Sequence, residues 1–237
     1  MMLACLFVAA YFLGAVPFGV LITRAKGVDI TKVGSGNVGA TNVGRAIGKT
    51  WAIIVFLLDV FKGCAPVIAT RFLVPDSPRW VWYLVGIAAV AGHCASPFLR
   101  FKGGKGVASS LGMVFGAAPI VAGSAFLIWG VIFLITRYVS LASIIGVGCA
   151  VVIAAIVQDW VYVGFGSLLF LFVLYTHRTN IQRLRNGTEP KFTFGGKPPP
   201  KDNDEDDGGL AMASARPVNP SPRSGSTAQD LPPMGGG

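Results

Sequence analysis

The chain has 237 residues, of which 53% are hydrophobic and only 13% are charged, and its mean hydropathy is +0.62. In soluble domains roughly a quarter of all residues are charged. The composition therefore excludes an ordinary soluble protein and predicts an integral membrane protein with several spans. The net charge of +9 is expected mainly in cytoplasmic loops. It is weak evidence for nucleic acid, and no nucleic-acid-binding module is visible, so nucleic acid is not a predicted partner.

The first two apolar segments flank a basic loop. Residues 3–22 are apolar, and their first cation, Arg24, lies at the far end, which argues against a signal peptide and predicts a retained helix with its N-terminus outside. Residues 24–49 are rich in lysine and arginine, so the positive-inside rule places this loop in the cytoplasm. Further spans are expected over residues 50–70 and 80–97, which returns the chain to the cytoplasmic side.

Residues 107–136 carry no charge, and they are long for one membrane crossing and short for two. Gly116 and Pro119 lie in their middle, where proline removes a helix hydrogen bond. A single crossing would place Asp159 inside and the basic run after residue 176 outside, against the positive-inside rule. We therefore predict a hairpin of two short helices. If the hairpin only dips into the bilayer, the number of spans falls by two and its parity is unchanged.

With spans over residues 139–158 and 160–176, the predicted fold is all-α and polytopic. It has seven transmembrane helices, two of them short and forming the hairpin, with the N-terminus outside and the C-terminus cytoplasmic. Asp59 and Lys62 lie three residues apart in the second span, so they share one helix face and can pair, either as a structural clamp or as a proton relay.

Composition changes near residue 193. Residues 1–192 are predicted to form the membrane domain. Residues 193–237 contain a proline run, a cluster of acids and many serines and glycines without apolar periodicity, which predicts a disordered cytoplasmic tail. The four cysteines are dispersed without C-x-x-C spacing, so neither a disulfide nor a metal site is predicted.

Three loops rich in hydrogen-bond donors, residues 34–45, 92–112 and 177–189, are expected on the cytoplasmic face. The segment Gly103-Gly104-Lys105-Gly106 has the composition of a phosphate-binding loop. Gly106 stands where a nucleotide P-loop requires serine or threonine, which excludes the magnesium-nucleotide site. The loops contain almost no carboxylate, which favours anions over metal ions. A transporter or channel, and a scaffold protein, are the alternative classes.

The three loops carry multi-residue motifs in order. They read Ser-Gly-Asn-x-Gly-Ala-Thr-Asn-x-x-Arg from Ser35, Gly-His from Gly92 followed by Phe-Lys-Gly-Gly-Lys-Gly-Val-Ala from Phe101, and His-x-x-Asn-Ile-x-Arg-Leu-x-x-Gly-Thr-Glu from His177. This pattern resembles the motifs of the bacterial PlsY-type glycerol-3-phosphate acyltransferases over residues 1–192. Cys94-Ala95-Ser96 and Ser109 depart from the family pattern and bear on acyl-chain packing.

The resemblance implies transfer of a fatty acyl group from acyl phosphate to the 1-hydroxyl of glycerol 3-phosphate. The products are lysophosphatidic acid and inorganic phosphate, in the first acylation step of phospholipid synthesis. It implies a multi-pass protein of the bacterial plasma (inner) membrane with a cytoplasmic active site and no cofactor or metal. The implied partners are the two substrates and the lipid bilayer. The enzyme that produces acyl phosphate is a further candidate partner. The His-x-x-x-x-Asp motif of thioester-dependent acyltransferases is absent, because Phe98 and Gln182 occupy the fifth positions after the two histidines.

The resemblance also implies roles for individual residues. Arg45 and Lys105, with the backbone N–H groups of residues 103–106, are expected to hold phosphates. Asn180 and His177 are expected to donate to the developing oxyanion or to support the acyl phosphate. Glu189 is expected to fix the third motif by pairing with an arginine, with a role as a base as the alternative, and a substrate phosphate can accept the hydroxyl proton instead. The expected catalytic residues are Arg45, Lys105, His177 and Asn180. The expected substrate-binding residues are Ser35, Asn37, Thr41, Asn42, Gly103, Gly104, Gly106 and His93, the last being either a general base or an orienting group.

Overall fold

The computed structural model describes residues 1–193, and the regular elements of this part of the chain are helices, without a β-strand. The all-α prediction is therefore confirmed here, while the predicted tail lies, apart from its first residue, outside the described residues. The helices are α1 (Met2–Ala15), α2 (Phe18–Ala25), α3 (Ala40–Ile47), α4 (Lys49–Leu73), α5 (Arg79–Cys94), α6 (Val107–Ala117), α7 (Pro119–Thr136), α8 (Val139–Ile156), α9 (Trp160–Thr176) and α10 (Arg178–Arg185), with 3₁₀ turns at Ile30–Lys32 and Pro97–Leu99.

Length and hydropathy identify the membrane-spanning segments of the described chain. Five are long and apolar enough to cross a bilayer, and a sixth is obtained if α9 and α10, which are bent by 62° relative to each other, are taken as one broken span. The helix α6 is apolar but shorter. The protein is thus a multi-pass membrane protein, and the count of seven spans stays a prediction. The five long segments are Met2–Ala25, Lys49–Leu73, Arg79–Leu99, Pro119–Thr136 and Val139–Ile156.

The first span is broken into α1 and α2 at Val16 and Pro17. Proline has no N–H to donate and its ring clashes with the preceding turn, so the helix cannot continue through it. The break leaves the Val16 carbonyl available, and the Lys62 Nζ donates to it across 2.9 Å. The prediction of one helix over residues 3–22 missed this break.

The hairpin of residues 107–136 is present as a break between α6 and α7 next to Pro119, as predicted. Its two outer ends lie at the same end of the bundle, since Lys105 contacts Asn180 and the Phe192 N–H donates to the Arg137 carbonyl across 2.8 Å. The helix α6 is short, with 11 residues, whereas α7 has 18 and is not the short helix that the sequence predicted.

Close contact through small residues fixes the depth of α6 beside α4. A Cβ atom added to Gly63 would lie 2.0 Å from the Ser109 carbonyl oxygen, and one added to Gly112 would lie 1.9 Å from that of Val60. Within a bilayer, where burial of apolar surface gives no net gain between helices, such close packing is a main source of association. The N-terminus of α6, which follows Lys105, is therefore held in a defined position.

Buried charges in the bundle are paired. The Lys62 Nζ lies 2.7 Å from the Asp59 Oδ1, so the predicted contact in the second span is confirmed. At the opposite end of the bundle the Arg79 Nη2 lies 2.5 Å from the Asp159 Oδ2, and the other oxygen of Asp159 caps α9 through the Tyr162 N–H. The second pair ties α5 to α9 far from the three motifs.

Candidate active site

A cavity of about 390 Å³ brings the three sequence motifs together at one end of the bundle. Its volume lies in the range of small-molecule sites. One end is polar, and the remainder extends between α4, α6, α7, α8 and α9 along apolar side chains. The polar lining includes Ser35, Asn37, Thr41, Asn42, Arg45, His93, Lys105, His177, Asn180, Arg183 and Glu189.

In the first motif, Asn42 organises the loop that precedes α3. Its Oδ1 accepts from the Ser35 N–H at 3.0 Å, and its Nδ2 donates to the carbonyls of Val33 and Ile30 at 2.8 and 3.3 Å. These bonds use both amide N–H groups and one oxygen lone pair. The side chain is buried and holds Ser35 in place, and it also lines the cavity, so the substrate-orienting role of Asn42 stays a prediction.

Asn37 lies in the turn before α3, and Thr41 lies in its first turn. The Asn37 Oδ1 accepts from the Gly39 N–H at 2.9 Å, which fixes the turn into the helix while the residue lines the cavity. Thr41 lines the cavity one turn before Arg45. A short amphipathic helix therefore presents this part of the first motif, where a loop was expected.

In the second motif, the glycines pack against the last turn of α5. The N–H of Gly103 donates to the Cys94 carbonyl at 2.9 Å and that of Gly104 to the His93 carbonyl at 3.2 Å. Both N–H groups are bonded to carbonyls and neither residue is among those that line the cavity, so this arrangement gives no support to the predicted phosphate contacts, which stay a prediction. A Cβ atom at Gly104 would lie 2.2 Å from the His93 Nε2, so glycine permits the close approach of loop and ring.

Lys105 and Gly106 follow and do line the cavity, with Gly106 at φ +79°, a conformation that glycine adopts without strain. The Lys105 Nζ donates to the Asn180 Oδ1. Burial, which disfavours the charged amine, lowers the pKa of Lys105 to about 8, although Glu189 opposes the shift. At neutral pH the side chain is mostly protonated.

In the third motif, Glu189 is the centre of a hydrogen-bond network. Its Oε1 accepts from the Asn180 Nδ2 at 2.6 Å and from the Ser140 Oγ at 2.7 Å, and its Oε2 accepts from the Arg183 Nε at 2.8 Å. Burial raises the pKa of this carboxyl, but the bonds from Arg183, Ser140 and Asn180 outweigh it and the pKa is lowered. The arginine contact expected for Glu189 is present.

Ser140 and Arg183 belong to the site, although neither was predicted as a site residue. Arg183 belongs to the third motif and follows Asn180 by three positions on α10. Residues with this spacing share one face of a helix, so the sequence could have predicted that Arg183 lies beside Asn180. Ser140 lies at the start of the apolar helix α8, and nothing in the local sequence distinguishes it.

Three cations lie near the Glu189 carboxylate. The Arg45 Nη2 donates to the Pro190 carbonyl at 3.3 Å, which brings its guanidinium to the segment that follows Glu189. Burial lowers the pKa of Arg45. The Glu189 carboxylate opposes this shift, and the Arg183 cation adds to it. With Lys105, these arginines leave an excess of positive charge at the polar end, which favours a bound anion.

His177 lies at the bend between α9 and α10. Its Nδ1 is 2.9 Å from the Val173 carbonyl oxygen, which can only accept, so Nδ1 carries a proton. In the neutral ring, Nε2 is then an acceptor. Donation from His177 to an oxyanion requires a proton on Nε2, so this role and the alternative, support of the acyl phosphate, both stay predictions.

The apolar part of the cavity is bounded by stacked rings and small residues. Trp129 stacks between Phe126 and Phe133, at centroid distances of 5.7 and 5.1 Å. Phe56 and Phe192 extend the row at its two ends. Such a lining accepts a flexible hydrocarbon chain by dispersion contacts. Further lining residues are Leu111, Val114, Ala122, Ala125, Gly146, Val147, Ala150, Tyr162 and Leu169.

The sequence of this chain matches a known protein family and several of its members. The family model described as glycerol-3-phosphate acyltransferase matches residues 4–187. A protein of that name from Aquifex aeolicus (strain VF5) is 47% identical over 189 residues, covering 79% of this chain and 97% of the relative. One from Thermus thermophilus is 47% identical over 187 residues, covering 77% of this chain and 92% of the relative.

Two solved structures also match. Both are of PlsY, described as an integral membrane glycerol 3-phosphate acyltransferase, one in the glycerol 3-phosphate form and one in the lysophosphatidic acid form. Each is 42% identical to this chain and covers 81% of it and 96% of the solved chain, with TM-scores of 0.77 and 0.75.

Proposed function

Since the chain belongs to the glycerol-3-phosphate acyltransferase family, we propose that it transfers a fatty acyl group from acyl phosphate to the 1-hydroxyl of glycerol 3-phosphate. The products are lysophosphatidic acid and inorganic phosphate. The observation that carries the proposal is the cavity itself, which has a cationic end and a long apolar end. Both substrates carry a phosphate, and one of them carries a hydrocarbon chain, so their chemistry matches the two ends.

The phosphates bind at the cationic end. Arg45, Lys105 and Arg183 line it, and arginine presents a planar fork of donors that suits phosphate oxygens. Ser35, Asn37 and Thr41 line the same end and orient the glycerol phosphate through hydrogen bonds. The acyl chain lies along Phe126, Trp129 and their neighbours.

Acyl phosphate is a mixed anhydride, so the hydroxyl can attack its carbonyl directly and phosphate leaves without a covalent enzyme intermediate. Negative charge develops on the carbonyl oxygen in the transition state. Asn180 is fixed by Lys105 and Glu189 on either side, and its second Nδ2 hydrogen is the donor that we assign to this oxygen. A donor held in place in this way costs no reorganisation during the reaction.

The attacking hydroxyl must lose a proton. Among the described residues, the carboxylates that line the cavity are Asp59 and Glu189, and both are in contact with cations. A carboxylate held in this way is a weak base. We therefore assign the proton to a substrate phosphate, with the cations Arg45 and Lys105 holding that phosphate beside the hydroxyl.

For the orientation in the membrane, we propose seven spans with the cavity mouth on the cytoplasmic side of the bacterial inner membrane. The cations near the mouth support this side, since positively charged loops remain in the cytoplasm. The contact of Lys105 with Asn180, together with the bond from the Phe192 N–H to the Arg137 carbonyl, supports an even number of passes over residues 107–136.

The test uses the full chain, purified in detergent or nanodiscs, with acyl phosphate and glycerol 3-phosphate. Release of inorganic phosphate that requires both substrates, together with formation of lysophosphatidic acid, is the expected result. Absence of turnover, with uptake of glycerol phosphate into proteoliposomes, would instead identify a transporter.

A further inference from the structure

The buried cluster of Asp59, Lys62 and His93 lies outside the network described for Glu189. Asp59 and Lys62 belong to none of the three motifs, yet Asp59 reaches the cavity wall. The three residues are 3%, 1% and 8% exposed. Charges at such depth in a membrane protein are costly and are usually retained for a purpose.

Asp59 faces the ring of His93. The Asp59 Oδ1 lies 3.6 Å from the His93 Nδ1, and the same oxygen lies 2.7 Å from the Lys62 Nζ. Lys62 is in turn held by the Val16 carbonyl at the break between α1 and α2. The Asp59 carboxylate is therefore held in a fixed position. The edge of the imidazole that carries Nδ1 points toward this carboxylate.

The opposite edge of the ring supports the loop that carries Lys105. The His93 Nε2 is so close to Gly104 that a Cβ atom there would lie 2.2 Å away. The backbone of the same loop is bonded to the carbonyls of His93 and Cys94. A change in the orientation of the ring must therefore move Gly104 and with it Lys105.

We propose that Asp59 is a positioning residue for the phosphate site, and that it acts through His93. The carboxylate holds the imidazole in the orientation on which the loop rests, and the loop holds Lys105 against Asn180. This inference rests on the proposed function for its kinetic readout, but the anion site can also be measured without turnover.

The kinetic test compares Asp59→Asn with Lys105→Ala in the full chain. We expect Asp59→Asn to raise the apparent KM of the same substrate whose KM rises in Lys105→Ala, by roughly tenfold, because a misplacement of about 1 Å in a site can cost up to a hundredfold. A residue needed only for folding would lower the active fraction and leave both KM values unchanged. That second pattern would overturn the proposal.

Loss of Asp59 leaves the Lys62 charge buried without its partner, so the single variant can fail to fold. The double variant D59N/K62Q removes both charges and keeps similar volumes. If its KM values return to those of the wild type, Asp59 serves only to neutralise Lys62 and the proposal is wrong. A raised KM in a correctly folded double variant supports positioning through His93.

A double-mutant cycle tests the path through His93. If Asp59 acts through the ring, Asp59→Asn adds little to the KM of a His93→Asn variant, because coupled residues are not additive. Additive effects would show a separate path and contradict the proposal. Arg79→Gln, which breaks the pair at the far end of the bundle, is the matched control and should leave both KM values unchanged.

The shift in unfolding temperature caused by inorganic phosphate gives a readout that does not depend on acyl transfer. We expect a smaller shift in D59N/K62Q than in the wild type. If the wild type shows this shift but no turnover, the proposed reaction fails while the positioning role is still tested. An equal shift in both proteins would overturn the positioning role.

Discussion

The Asn180 Nδ2 donates to the Glu189 Oε1 across 2.6 Å, and the oxygen of the same amide accepts from Lys105. This places one amide between a carboxylate and an ammonium, so its orientation is determined by both. The two oxygens of Glu189 accept three bonds in all, from Ser140, Asn180 and Arg183. The network thereby joins α8, α10 and the loop before α6 at the cavity.

Glu189→Gln should disturb this network without a large change in volume. The new amide NH₂ group must face Asn180, Ser140 or Arg183, which all donate, so at least one donor loses its acceptor. We expect a loss of about 1–3 kcal/mol in unfolding free energy, together with lower turnover. Thermal unfolding and phosphate release measure the two effects. Gln182→Glu, an exposed change on the preceding helix α10, is the control, and equal stability of wild type and Glu189→Gln would contradict the role of this carboxylate.

Asn180→Ala should lower turnover more than substrate binding. The amide is proposed to donate to the oxyanion, which forms only in the transition state, and removal of one such donor typically costs about 100-fold in kcat. Steady-state kinetics for both substrates give kcat and KM separately. Thr179→Ala, at the exposed neighbouring position, should behave as the wild type. An unchanged kcat in Asn180→Ala would rule out the oxyanion role.

The pH dependence of the reaction should report Lys105. Its pKa is lowered by burial to about 8, so the amine is charged below this value and loses its charge as the pH rises through it. Phosphate affinity, and with it kcat/KM, should therefore fall as the pH rises through this pKa. In Lys105→Arg the cation stays charged over this range, and the fall should disappear even if activity is lower.

A matched change in the same loop separates this effect from general surface charge. Lys102→Ala removes an exposed cation three positions earlier and should keep the wild-type pH profile, whereas Lys105→Ala should raise KM by roughly tenfold or more, as expected for a charge-assisted hydrogen bond. Wild-type KM values for both substrates in Lys105→Ala would remove this residue from the site.

The apolar part of the cavity should determine which acyl chains are accepted. Ala150 lines it and is buried, so Ala150→Phe fills space that a long chain would occupy. We expect a preference for shorter acyl phosphates, measured as the ratio of kcat/KM for donors of two chain lengths. Ala69→Phe, on a partly exposed face of α4, is the control. An unchanged ratio for Ala150→Phe would place the chain elsewhere.

Deletion of residues 195–237 should leave turnover and membrane insertion intact, because the membrane domain is predicted to end near residue 192. Phosphate release by the truncated protein, compared at equal amounts of inserted protein, checks this expectation. Loss of activity in a correctly inserted truncation would show that the tail takes part in the reaction.

Local patterns predicted those features that depend on few neighbouring residues. The spacing of Asp59 and Lys62 predicted their contact, and Pro119 predicted the break between α6 and α7. Pro17 also breaks a helix, but the hydropathy on both sides of it is continuous, so hydropathy alone predicted one uninterrupted helix. The three loops were predicted to lie on one face, and residues of all three line one cavity, whereas anion binding there stays a prediction.

Other features depend on which helices meet. The N–H groups of Gly103 and Gly104 looked available in the sequence, but the last turn of α5 supplies acceptors for both. The bonds that the Asn42 side chain makes within its own loop were not predicted from the sequence. Ser140 is one of two serines in the otherwise apolar helix α8, and the packing of α8 against the third motif gives it Glu189 as a partner. Tertiary contacts of this kind have no local signature.

The exposed position of α7 determines which concentration is relevant to the binding of acyl phosphate, the acyl donor. Its buried residues Val121, Ala122 and Ala125 all lie in the first half, whereas Leu134 and Ile135 are largely exposed. The helix α7 therefore lies between the aromatic lining of the cavity, which its own side chains form in part, and the hydrocarbon expected around the bundle. An acyl chain that moves between the two exchanges one apolar medium for another, with little change in free energy. Affinity for the donor must then come from its head group, and the relevant concentration is its mole fraction among the membrane lipids.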